Sequence, residues 1–182
     1  ERTRLILWEM ADMLSLDLVD KGGVTNQIVL TVGYDKESLA DGHYTGEVVC
    51  DHYGRKIPKH AHGTQNLGRH TSSTRKIIDA TMALFDRIID KTLLARRLNL
   101  TACNVIREED IPEVESYEQI SLFDMAEAAN ADNNAEEKER ALQEAMLLIK
   151  HKYGKNAILK GTNYTEGATA RERNRSIGGH KA

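Results

Sequence analysis

The sequence predicts an α+β fold: a small two-layer sandwich, two helices on one face of an antiparallel-type sheet, then a C-terminal helix and an irregular tail. Three observations predict it. Helical and extended apolar periods alternate over residues 1–107 in the order helix, strand, strand, helix, strand. The extended segments alternate apolar and polar side chains, which gives each one buried and one wet face. Beyond Arg107 the composition changes abruptly, with 13 acidic and 2 basic side chains in residues 108–144.

Each element has its own signal. Leu7, Met10, Leu14 and Leu18 recur at helical steps, with Trp8 and Leu16 widening the stripe, and Gly22-Gly23 ends the helix. Asp12, Asp17 and Asp20 are read as its wet side. Residues 27–34 are β-branched and partly alternating, a strand; residues 35–54 read as a long excursion with a short strand near Val48-Val49. From Arg55 to Leu67 a second extended segment places His60, His62, Thr64 and Asn66 on one face and Ala61, Gly63, Gln65 and Leu67 on the other. Thr71-Ser72-Ser73-Thr74 supplies a helix cap before the stripe Ile77, Ile78, Met82, Phe85, Ile88 and Ile89. The last strand runs from Ala95 to Val105, with Leu98, Leu100 and Ala102 inward and Arg97, Asn99 and Thr101 outward.

The remaining chain divides by composition. Residues 108–134 are expected to be a flexible acidic linker and 135–154 an amphipathic helix opened by Asn133 and Glu136, with Leu142, Ala145, Met146 and Ile149 on one face. Residues 155–182 are expected to be a loosely ordered, basic, Gly- and Arg-rich tail. No apolar run is long enough to span a bilayer, and no signal peptide is visible, so a cytoplasmic setting is expected. Cys50 and Cys103, isolated from each other, are read as reduced thiols, one disulfide being the alternative.

The net charge of −3 conceals segregation. Residues 55–107 hold 11 basic and 3 acidic side chains, a concentration that suits a polyanion, because a Lys or Arg beside a phosphate releases condensed counterions. Arg97, Asn99 and Thr101 offer a cation, an amide and a hydroxyl at every second residue, with Lys59 at the edge of the His60/His62/Thr64 face. Such a surface touches phosphates without reading bases; its plainer reading is the ordinary polar side of a half-buried sheet. His43, His52, His60, His62 and His70 with Cys50 lack the paired spacing of a zinc site, and no phosphate loop, nucleophile elbow or metal-binding carboxylate pair is present.

One short segment stands apart. Leu122 and Phe123 are adjacent apolar residues in a polar, acidic stretch that has no core to bury them, so a pocket on another protein is their expected use. Gln119-Ile120-Ser121-Leu122-Phe123 resembles the peptide with which bacterial DNA polymerases and repair proteins dock on the replicative sliding clamp.

A wider resemblance is carried by four stretches: Leu14 to Tyr34; Asp51 to Thr64; the cap Thr71 to Thr74; and Arg96-Arg97-Leu98-Asn99-Leu100. With the ending, from Gly154 through Glu166-Gly167-Ala168-Thr169 to Ala182, they resemble the C-terminal little finger domain and tail of a Y-family translesion DNA polymerase, of the UmuC/DinB-like, ImpB/MucB/SamB group of Gram-positive bacteria. The resemblance implies a DNA-binding, clamp-docking role in error-prone lesion bypass, DNA repair and the SOS response. It implies no catalysis by this chain, since the catalytic core that would hold Mg is absent from it, and no cofactor. Carried over by position, the DNA contacts are Arg55, Lys56, Lys59, His60, His62, Thr64, Thr71, Ser72, Ser73, Arg96, Arg97, Asn99 and Thr101. The clamp contacts are Gln119, by its amide, and Leu122 and Phe123, with Ile120 and Ser121 as spacers. The family's β-α-β-β-α-β order also implies a missing first strand, internal to the sheet. Its slot is expected to be filled by Asn156–Lys160 or by a neighbouring chain through strand exchange or dimerisation. Two other readings stay open: a stand-alone protein–protein adaptor without DNA binding, and a His/Cys metal-dependent enzyme.

Overall fold

The computed structural model describes residues 1–40, 42–111, 124–177 and 180–181, and the side chains of these except 124–134, 177, 180 and 181. Helix α1 spans Arg2–Asp20. Gly22, at φ +62, then turns the chain directly into strand β1, Gly23–Tyr34; a left-handed φ of this kind favours glycine. A small hairpin follows, β2 (Val48–Cys50) with β3 (Lys56–Pro58), and then β4 (Ala61–Thr71), α2 (Thr74–Ile88), β5 (Ala95–Cys103) and β6 (Ile106–Arg107). The chain continues through α3 (Asp124–Tyr153), α4 (Ala170–Arg173), β7 (Ser176–Ile177) and β8 (His180–Lys181). The main sheet is antiparallel, in the order β4-β1-β5, with β6 pairing the start of β1.

The predicted α+β sandwich is the observed one, with α1 and α2 on a single face of the sheet. Ile28, Leu30, Val32 and Tyr34 of β1 point to that face and pack with Leu7, Leu84 and Phe85. A second cluster joins Ala11 and Leu18 of α1 to Ile77 and Ile78 of α2. Fully burying one such aliphatic side chain contributes roughly 1.5–3 kcal/mol. Gly63 of β4 faces the same layer, where an added Cβ would come within 2.8 Å of Leu84 and 2.9 Å of Ile88, so α2 sits directly on the strand backbone.

Three expectations are corrected. First, no internal slot stands vacant in the main sheet: β1 pairs with β4 from Gln27↔Asn66 to Val32↔Ala61 and with β5 from Gln27↔Cys103 to Gly33↔Arg97. Both edges of β1 are satisfied, so any further strand belongs on an outer edge, and the gap proposed for strand exchange does not exist. Asn156–Lys160 lies outside the sheet, with Lys160 Nζ donating to Asp12 Oδ1 of α1 at 2.5 Å.

Second, the tail is packed on α1 over much of its described length. Asn163 Nδ2 donates to Glu9 Oε1 (3.0 Å), while Thr169 N (2.9 Å), Thr169 Oγ1 (3.1 Å) and Arg173 Nη2 (3.1 Å) donate to Oε2. Burial pushes the Glu9 carboxyl up, but these donors and the Arg173 charge outweigh it and hold it below its ordinary value. Asp12 is likewise buried, which removes it from the wet side of α1.

Third, the inward face of α3 is rotated from the expected one: Met146 is buried as expected and Ile149 is half-buried, but Leu142, 57% exposed, and Ala145 face out, and Gln143 is buried in their place. Polar contacts to the start of α2 set the rotation of this helix. Cys50 and Cys103 are free thiols. Among the described residues no helix is long and apolar enough to cross a membrane.

Candidate nucleic-acid interface

The sheet face opposite the helices is open and polar. Strand alternation gives it, because the residues between the inward Ile28, Leu30 and Val32 of β1 must point away. Cross-strand register then builds rows: His62–Thr31–Asn99, Thr64–Val29–Thr101 and Asn66–Gln27–Cys103, with Arg97 beside Gly33. His62, Thr64, Arg97, Asn99 and Thr101 are all exposed. Two cross-strand bonds tie the face together, Thr31 Oγ1 to His62 Nδ1 and Gln27 Nε2 to Asn66 Oδ1, both at 2.9 Å.

The other positions named from sequence divide into two groups. Arg55, Lys56, Lys59 and His60 lie on or beside the β2–β3 hairpin and are exposed, but several of the cations there are already paired. Arg55 Nη2 bonds Asp51 Oδ2 (2.6 Å), Lys59 Nζ bonds Glu47 Oε2 (2.6 Å) and Arg96 Nη1 bonds Asp35 Oδ2 (2.9 Å). The Arg55 guanidinium holds the Asp51 carboxyl below its ordinary range; the Glu37 backbone N–H, then Arg96, do the same for Asp35. Among the described residues Lys56 and Arg97 make no ion pair. Lys36, Arg55, Arg96 and Arg97 share a shallow pocket of about 170 Å³ between the hairpin and the start of β5.

Thr71, Ser72 and Ser73 form the second group, and their expected place on an exposed contact face is corrected. They are 7–8% exposed and covered by α3. Ser73 Oγ donates to Glu139 Oε2 (2.6 Å) while accepting from Lys76 N, which fulfils its capping role. Ser72 receives Arg140 Nη1 on its hydroxyl (3.1 Å) and Gln143 Nε2 on its carbonyl (2.9 Å).

Sequence reading passed over Gln27 and Thr31, although the odd-numbered polar positions of β1 were the available signal. Lys36 carried no signal, because only the fold brings the turn after β1 next to β5. Among the described residues no three His, Cys, Asp or Glu side chains gather as a metal site. His60 and His62 meet edge to face at 6.4 Å, and His70 Nε2 lies 3.2 Å from Asn104 O. Gln119, Ile120, Ser121, Leu122 and Phe123 lie outside the described residues.

Comparison with known proteins gives the kinship of this two-layer sandwich. The chain belongs to the impB/mucB/samB family: residues 1–122 match that family's C-terminal domain. Its kinship is with the C-terminal part of Y-family polymerases. A relative is the "Putative UV-damage repair protein UvrX" of Bacillus subtilis (strain 168), 28% identical over 183 aligned positions that take in all of this chain and 35% of that protein. The chain thus spans about a third of that relative's length. No solved structure matches it.

Proposed function

We propose that this chain is the DNA-holding part of a cytoplasmic lesion-bypass polymerase in DNA damage tolerance, gripping primer–template duplex by its sugar–phosphate backbone rather than performing catalysis. The observation that supports this most directly is the open face itself, where Arg97, Asn99 and Thr101 stand beside Thr31, His62 and Thr64. Alternate side chains along a strand repeat at about 6.7 Å, on the scale of neighbouring phosphates, and hydroxyls, amides and a guanidinium all donate to phosphate oxygens. Arg97 supplies the charge, Asn99, Thr101 and Thr64 the neutral donors, and Lys56 and the Lys36/Arg55/Arg96 corner the rim. Such a grip is independent of base sequence, as bypass of altered bases requires. In the same reading Gln119, Leu122 and Phe123 dock on the sliding clamp during the SOS response.

Fluorescence anisotropy on a primer–template duplex tests the DNA half. Arg97→Ala with Asn99→Ala is expected to weaken binding several-fold near 100 mM salt and to flatten the log K against log salt slope by about 0.9, one phosphate contact. Unchanged affinity and slope would favour the protein-adaptor reading. Leu122→Ala with Phe123→Ala is expected to abolish clamp binding while leaving duplex affinity intact; parallel loss of both would refute the division of labour.

A further inference from the structure

The surface where α2 begins is basic and rich in donors, and α3 fills it with carboxylates. Glu139 bridges Ser73 Oγ through Oε2 and Arg75 N through Oε1 (2.6 and 2.9 Å), the pair of contacts a phosphate makes at a helix N-terminus. Three residues earlier, Glu136 Oε1 meets Arg69 Nη2 at 2.5 Å and also the Lys76 ammonium. Burial raises the Glu136 carboxyl, but Lys76 and Arg69 outweigh it and keep it in its charged form. Arg69 follows the open-face residues His62, Thr64 and Asn66 along β4, at an irregularity in the pairing of that strand with β1 between Asn66 and Thr71.

We propose that α3 is a removable cover. Its Glu136 and Glu139 stand where nucleic-acid phosphates bind, and duplex DNA competes with them for Arg69, Lys76 and the first turn of α2. The inference rests on the backbone-gripping reading above and adds a built-in control to it. Two features make the cover releasable. Its grip between residues 136 and 143 is polar, Gln143 completing it with bonds to Ser72 O and Thr74 Oγ1, while Leu142 points to solvent. The Arg69–Glu136 pair, whose guanidinium is 56% exposed, is of the kind that is individually weak and screened by salt; the Lys76–Glu136 pair is more enclosed. The far end of α3 has its own anchor, Lys150 Nζ on the carbonyls of Lys155 and Ile158 and His151 Nε2 on Asp20 (3.0 Å), so the first half can lift without the helix leaving.

The test is duplex binding by the Glu136→Gln/Glu139→Gln chain across a salt series. Expected are a five- to ten-fold tighter Kd near 150 mM salt, a slope steeper by up to about 1.8 (two contacts), and loss of both gains when Arg69→Ala and Lys76→Ala are added. Hydrogen exchange on the native chain gives a readout independent of these variants' folding: duplex should reduce protection of the α3 amides from 136 to 146. Unchanged or weaker binding by a folded double variant, or unchanged or increased α3 protection with duplex bound, overturns the cover. Failure of the cover alone leaves the Arg97/Asn99 dependence standing; absence of duplex binding by both the native chain and the Gln variant removes the underlying reading as well.

Discussion

Glu9 should be the residue on which the C-terminal segment depends. Its side chain has no exposed surface, and it accepts four hydrogen bonds from Asn163, Thr169 and Arg173, whose own side chain is 28% exposed. Glu9→Gln keeps the volume but turns the two Thr169 bonds at Oε2 from charge-assisted to neutral, removes the counter-charge of the Arg173 guanidinium, and sets an amide N–H₂ against Asn163 Nδ2. A bond to a charged group contributes about 1.5–3 kcal/mol against about 1 for a neutral one, so the summed loss is about 2–4 kcal/mol. Glu9→Ala leaves every donor unpaired and the Arg173 charge half-buried, costing about 3–5 kcal/mol. Because all four donors come from residues 163–173, the loss should show first as release of that segment. Native-state hydrogen exchange and trypsin cleavage at Arg171 and Arg173 would report it, beside urea unfolding for the whole domain. The pH sign follows from the lowered carboxyl: its stabilisation is full above the ordinary Glu value of about 4.3 and is lost as pH falls through the depressed folded value. The Gln variant should lack that acid limb. A Glu9→Gln protein whose segment stays as protected as the native one, within about 0.5 kcal/mol, with the same acid profile, would refute this account of the anchor.

Gly63→Ala should destabilise the domain by about 1–3 kcal/mol in urea titration, since its Cβ would press on Leu84 and on the β-branched Ile88. Arg96→Ala should flatten the salt dependence of duplex binding less than Arg97→Ala does, because Arg96 is engaged with Asp35 while Arg97, which lines the same pocket, makes no ion pair among the described residues; equal effects would show that the Asp35 pair does not withhold Arg96 from phosphate. Asp51→Ala should unravel the β2–β3 hairpin without melting the core, since Asp51 Oδ1 receives both Tyr53 N and Arg55 N, and amide NMR shifts of residues 48–58 would show it. The lowered Asp51 carboxyl gives the native hairpin the same sign of pH dependence, ordered above the ordinary Asp range and loosened as pH falls through the depressed value.

Much of the sandwich was legible because its signals are local. Alternation in β5 placed Leu98 and Leu100 inward and Asn99 and Thr101 outward, and the α2 stripe put Ile77, Ile78 and Phe85 in the core. What escaped depended on contacts across the chain. Glu9 and Asp12 look like solvent-side positions of an amphipathic helix, and only the later segment carrying Lys160, Asn163 and Thr169 buries them. The cap Thr71-Ser72-Ser73 was readable as a helix start, yet nothing local signals that Glu139, some 66 residues on, would occupy it. Sheet order was the other miss, for register fixes which residues pair but not which strand lies in the middle.

Regional net charge also overstates the cations that the open face commands. Of the 11 basic side chains in residues 55–107, Arg55, Lys59 and Arg96 are paired within or beside the hairpin, Arg69 and Lys76 meet Glu136, and Arg87 donates to Thr64 O and Gln65 Oε1. With α3 in place, the cations of this region that make no ion pair among the described residues include Arg97 on the face and Lys56 on the hairpin. A grip built on about two phosphate contacts is weak at physiological salt, since each contact carries a slope of only about −0.9. On the proposed reading that weakness has a use: a domain that must travel along duplex during synthesis needs contacts that break readily, and retention then has to come from elsewhere. Linking a weak grip to a second attachment raises effective concentration and can lift overall avidity 10²–10⁴-fold with no new contact to DNA. On that reading the proposed clamp-docking peptide and the proposed surface beneath α3 are two such sources. They act differently, the peptide by tethering and the uncovered surface by adding phosphate contacts. Only the second steepens the salt dependence, so that slope separates them.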